Sequence, residues 1–146
     1  MMNRFFMIAI ASVSLVSVSA LAAPVKLTLN IKGSTLNFDK AKLTVKAGQA
    51  VTLTVKDGAP KDSGLQHNWV LVVPGSDQDV ATNGIGAGPE KGYIPDSPNI
   101  LAHTKLMNPG ESDTITFTAP TTTGDYPYLC TFPGHYPMMK GVLTVK

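Results

Sequence analysis

Cysteine is nearly absent from this chain: Cys130 is the single one in 146 residues. No internal disulfide is possible, and a lipoprotein anchor is excluded because it needs a cysteine at its cleavage point. Arginine is as scarce, with Arg4 the last in the sequence. Of the 12 basic residues the other 11 are lysines, spread singly, and they face 10 acidic residues. Beyond Arg4 the balance is therefore close to neutral. A nucleic-acid face needs clustered basic residues interleaved with aromatics, and aromatics make up only 7% of the chain. Nucleic acid is not expected as a partner. Repeats and low-complexity tracts are missing too.

The N-terminal stretch has the make-up of an export signal. Asn3 and Arg4 give a polar, positive start, and Phe5 to Leu21 is apolar or small, thinned by Ser12, Ser14, Ser17 and Ser19. Ala20-Leu21-Ala22 offers the small-x-small pattern of a cleavage site, so residues 1–22 are expected to be a signal peptide, with a retained membrane anchor as the alternative. Residues 23–146 then form one domain of ordinary size. In an oxidising compartment a lone thiol is a liability unless something occupies it.

After the leader the pattern has a period of two. Val25, Leu27, Leu29 and Ile31 alternate with polar residues, as do Leu43 and Val45, and Val51, Leu53 and Val55. Such runs predict strands with one buried face. Ala47-Gly48-Gln49 and Asp57-Gly58-Ala59-Pro60 read as turns. Asn68 to Val73 is continuously apolar, as for a strand covered on both sides. Asp113 to Ala119, Tyr126 to Cys130 and Val142 to Val145 complete seven or eight strands, which predict an all-β, antiparallel two-sheet sandwich. The stretch 74–109 is expected to be a flap. Gly84, Gly86 and Gly88 argue against a stable helix through its middle, although Ser76 to Thr82 has room for a turn or two.

The chemistry is concentrated in Cys130-Thr131-Phe132-Pro133-Gly134-His135-Tyr136-Pro137-Met138-Met139. A thiolate, an imidazole and a thioether fall within ten residues, between two strands. Soft sulfur donors beside nitrogen suit copper, which alternates between soft Cu(I) and harder Cu(II). His67, in Gln66-His67-Asn68-Trp69, supplies a second nitrogen. Two histidines and a cysteine in a plane, with a long methionine bond on the axis, make a blue-copper electron-transfer site. Asn68 is placed to tie the His67 strand to the cysteine loop through Thr131. Trp69, Tyr126 and Tyr128 are expected in the core.

Cys-x4-His-x3-Met within C-T-F-P-G-H and M-K-G resembles azurins and the related auracyanins, as do H-N-W-V-L at the first histidine and A-H-T-K-L at 102–106. The similarity runs from about Lys26 to Lys146. It implies a cupredoxin Greek-key sandwich, one type 1 copper per chain and single-electron shuttling rather than an enzymatic reaction. By its spacing Met139 is the axial ligand, leaving Met138 to pack, and His103 is not a ligand. In azurins a glycine carbonyl approaches copper on the far axial side; Gln66 stands there in this chain. Azurins also carry a disulfide that this chain has no cysteines to form. Azurin-like and auracyanin-like readings both stay open. Phe132, Pro133 and Pro137 would form an apolar docking patch for periplasmic redox partners such as c-type cytochromes or respiratory and photosynthetic oxidoreductases.

Two other classes compete. A copper store or delivery protein would use the same donors without strong blue colour. A cysteine–histidine nucleophile pair would leave Met139 without a task.

Overall fold

The structure is a computed structural model and describes residues 22–146 except 34 and 137. The expected signal peptide, residues 1–22, lies outside the described residues but for its last position, and so does Pro137 of the expected docking patch.

Among the described residues the chain forms eight strands and one α-helix: β1 (Val25–Ile31), β2 (Lys42–Val45), β3 (Ala50–Asp57), β4 (Val70–Val72), α1 (Asp77–Ala87), β5 (Ile100–His103), β6 (Ser112–Thr118), β7 (Gly124–Leu129) and β8 (Lys140–Val145). They build a three-stranded sheet, β1-β3-β6, and a five-stranded one, β2-β8-β7-β4-β5. The alternating runs do what their period dictates. Val51, Leu53 and Val55 of β3 turn inward and Thr52, Thr54 and Lys56 turn outward. Leu29 and Ile31 on β1, Leu43 and Val45 on β2, and Leu143 and Val145 on β8 meet them in one core, closed by Trp69 and Tyr128.

The sheets are mixed rather than antiparallel throughout. β1 runs parallel to β3, and β2 parallel to β8. Alternation reports which face of a strand is buried but not the direction of its neighbour, so this pairing is invisible in the sequence.

The flap carries more regular structure than expected. α1 spans 11 residues, straight through Gly84. Its Val80 and Ala81 pack with Val70, Val72 and Leu129 on the outer face of the larger sheet. β4 is thus covered on both sides, as its continuous apolar run implies. Gly84 is small for packing, not for bending: a Cβ there would lie 2.7 Å from the Tyr93 carbonyl oxygen and 3.1 Å from Thr131 Cβ. Tertiary contact outweighs the roughly 1 kcal/mol helix penalty of one glycine. The same stretch supplies β5 on the edge of the larger sheet.

Candidate metal centre

His67 opens the β4 segment and is paired with Met107 by two backbone hydrogen bonds, His67 N–H to Met107 O at 3.1 Å and Met107 N–H to His67 O at 2.8 Å. Its ring is fully buried. Nδ1 lies 2.9 Å from Asp57 Oδ2, while the buried Nε2 has no hydrogen-bond partner among the described residues.

Cys130 follows the last residue of β7 and Met139 precedes the first of β8, both fully buried. The Cys130 N–H donates to the Met139 carbonyl at 3.0 Å, so the last pairing of the two strands closes the loop between them. Inside it, Phe132-Pro133-Gly134-His135 makes a turn in which the His135 N–H donates to Phe132 O at 3.1 Å and Gly134 has φ 82°. Proline at the second position and a positive-φ glycine at the third are what a type II turn requires. The turn brings His135 Nδ1 to 3.5 Å from Cys130 Sγ. The His135 and His67 rings lie 4.8 Å apart between centroids.

The loop is fastened to the His67 segment by Asn68. Its Oδ1 accepts from Thr131 N–H at 2.8 Å, and its Nδ2 donates to Thr131 Oγ1 at 2.8 Å and to Gly92 O at 3.0 Å. Thr131 Oγ1 donates in turn to Tyr93 O at 2.7 Å. The backbone N–H of Asn68 points at Cys130 Sγ, 3.5 Å away.

Burial pushes the Cys130 thiol up to about 11, against the backbone N–H groups of Asn68 and Phe132, with Asp57 adding to the rise. A ligand thiol must lose its proton, so a cation at this point would have to supply the favourable charge. Burial, and then the neighbouring His67, pulls His135 down to about 4 against the opposing effect of Asp57. Its imidazole is therefore neutral near pH 7, with a lone pair free to bind. Among the described residues, no group of three or more His, Cys, Asp or Glu side chains is drawn close enough to clamp an ion. Cys130 and His135 touch, while His67 is hydrogen-bonded to Asp57. The donor set still suits copper: a buried thiol against an imidazole, a second imidazole with an unpartnered nitrogen, and a buried methionine beside them.

Around the loop, the Phe132 ring lies tilted against His135 with centroids 4.6 Å apart, and Phe132 and Pro133 are both half-buried. With Ala81, Ile85 and Tyr136 they line a shallow groove. Gln66 is half-buried and its side chain donates to Asn108 Oδ1 at 2.8 Å. His103 is exposed at the end of β5. Met138, expected to pack, is instead 63% exposed. At the mouth of β8 neighbouring side chains face opposite ways, so burying Met139 turns Met138 outward.

The residue missed in the sequence is Asp57. Asp57-Gly58-Ala59-Pro60 has the composition of a turn, yet Asp57 continues the inward phase of Val51, Leu53 and Val55 and is 3% exposed. An acid on the buried phase of a strand was the available signal.

A model of copper binding proteins, the plastocyanin/azurin family, matches residues 25–146. The chain belongs to that family. Auracyanin-A of Chloroflexus aurantiacus is 45% identical over 128 residues, covering 86% of this chain and 76% of that protein. Azurin of Pseudomonas aeruginosa is 37% identical over 145 residues, covering 94% and 96%. The solved structure of auracyanin A, described as a "blue" copper protein, superposes with a TM-score of 0.77 at 44% identity, covering 84% of this chain and 99% of that one. The fold is accordingly a cupredoxin sandwich, and copper is the metal of the family.

Proposed function

We propose that this cupredoxin is a type 1 copper electron-transfer protein, in which His67, Cys130, His135 and Met139 would hold the metal. The observation that carries the reading is the 3.5 Å approach of Cys130 Sγ to His135 Nδ1, beside a buried His67 ring nitrogen with no hydrogen-bond partner among the described residues. Bound copper would supply a one-electron couple, and these side chains would hold its surroundings still through the change of charge. Cys130 and His135 are fixed by the turn and by the β7–β8 closure. Asn68 and Thr131 keep the loop in register with His67. The Gln66 carbonyl is proposed as a further, weak donor. Four protein side chains holding the metal would leave no position for a substrate, which suits electron transfer rather than catalysis.

Phe132, Pro133 and Pro137 are proposed to meet the partner, with His135 just beneath. A small apolar face suits brief encounters with redox proteins such as c-type cytochromes or respiratory and photosynthetic oxidoreductases. Residues 1–22 are proposed as the signal that exports the chain to the periplasm. Among the described residues no helix is long and apolar enough to cross a membrane.

The visible spectrum of the protein with Cu(II) tests the reading. An intense blue band is expected in the wild type, with complete loss in Cys130→Ser. Stoichiometric copper uptake without that band would point instead to copper storage or delivery. Mass spectrometry of the exported protein tests cleavage after Ala22.

A further inference from the structure

The alternation of β3 brings a carboxylate into the core. Burying an acid is costly unless both its oxygens are bonded, and here both are. Asp57 Oδ1 accepts from the Ala59 N–H at 2.9 Å, and Oδ2 meets His67 Nδ1 at 2.9 Å, with both side chains fully shielded from solvent. The backbone of Asp57 is held as well. Its N–H donates to Glu111 O at 2.8 Å, its carbonyl accepts from Gly110 at 3.0 Å, and its Cα is paired with Ile31 of β1. The carboxylate therefore sits on one of the most constrained points of the smaller sheet, facing a histidine of the larger one. Among the described residues His135 has no carboxylate partner; its Nδ1 faces sulfur.

We infer that Asp57 is a positioning residue for His67, holding the ring across the sandwich and fixing the tautomer that leaves one ring nitrogen bare for the metal. The inference rests on the ligand assignment proposed above for His67. A carboxylate oxygen at this distance accepts, so the ring nitrogen facing Asp57 carries the hydrogen and the other keeps its lone pair. A carboxylate behind a ligating imidazole makes that imidazole a stronger donor. Its negative charge, in a site closed to water, also favours the more positive oxidation state of whatever ion His67 binds.

Asp57→Asn tests this because it keeps the shape and an oxygen for Ala59 while removing the charge. Copper affinity is expected to fall about 10- to 100-fold, the usual cost of losing such a partner. The reduction potential is expected to rise, and the blue band to persist because Cys130 and both histidines remain. An Asp57→Asn protein with wild-type potential and affinity would overturn the inference. A second measurement needs no variant. The ¹⁵N–¹H spectrum of the wild-type protein, with Cu(I) and again without metal, should show a slowly exchanging ring N–H on His67. A His67 ring proton that exchanges as fast as that of His135 would overturn the inference even if Asp57→Asn failed to fold. A colourless wild type would remove the ligand assignment, and the His67 ring proton would still decide whether Asp57 holds the ring.

Discussion

The two histidines of this site are held in opposite ways. His67 is fixed from across the fold: Met107 pairs with its backbone and Asp57, from the other sheet, bonds its ring. His135 is fixed from close by, through Phe132-Pro133-Gly134 and the hydrogen bonds that Met138 and Met139 donate to its carbonyl at 3.1 and 3.0 Å. One wall of the site is thus a property of the whole sandwich and the other of ten consecutive residues. Each wall is rigid for a different reason, and Asn68 is the rivet between them.

The largest effect is expected from drawing that rivet. Asn68→Ala deletes three hydrogen bonds and leaves the buried Thr131 N–H without its acceptor. Stability should fall by about 3 kcal/mol, read as a lower urea midpoint. The visible spectrum should change as well, because the two walls are then free to shift against each other. Lost stability with an unchanged spectrum would mean that each wall holds its own histidine and that the comparison is wrong.

A smaller effect should follow where the flap supports the loop. Gly84→Ala places a methyl group 2.7 Å from Tyr93 O, against the carbonyl that accepts from Thr131. Overpacking of this kind costs about 1–3 kcal/mol. Gly86 has nothing within 4 Å of the position its Cβ would take. Gly86→Ala should therefore stabilise the helix by about 0.5–1 kcal/mol. Thermal unfolding of the pair checks both signs. Equal shifts would show that the helix feels only its own propensity and gives the loop no support.

This division also explains what could be read in the sequence. The 130–139 wall was legible because its donors, its turn residues and its closing strands are neighbours in the chain. The inward faces of β1, β2 and β3 were legible because alternation is local. Asp57 was not, since Asp-Gly before Ala-Pro has the composition of a turn and only the phase of β3 argues otherwise. His67 could be named as a donor from its motif, but its partner lies across the sandwich. The full length of α1 is hidden because helix propensity counts Gly84 against it, whereas Gly84 lets Tyr93 and Thr131 come close. The parallel pairings of β1 with β3 and β2 with β8 depend on long-range topology that no short window contains.

The smallest effect concerns the scaffold away from the metal. Asp39 takes both the backbone N–H and the side-chain amide of Asn30, at 2.8 and 2.7 Å, pinning the segment before β2 to the end of β1. Partial burial would by itself raise its pKa, but the two bonds from Asn30, with Lys40 nearby, bring it below the ordinary 3.8. A depressed carboxylate stabilises the fold above its unfolded pKa, and that contribution is lost as the pH falls through the lower folded value. Wild type should therefore lose stability on acidification below about pH 4 more steeply than Asp39→Asn, which keeps the shape without the charge. Asp39 is partly solvated, so the difference should be small. Urea midpoints at pH 7 and pH 3 measure it, with the blue band unchanged between the two proteins at pH 7. A shift of that band in Asp39→Asn would show that strain at the β1–β2 junction reaches the metal, and the His67 wall would then be less rigid than its hydrogen bonds imply.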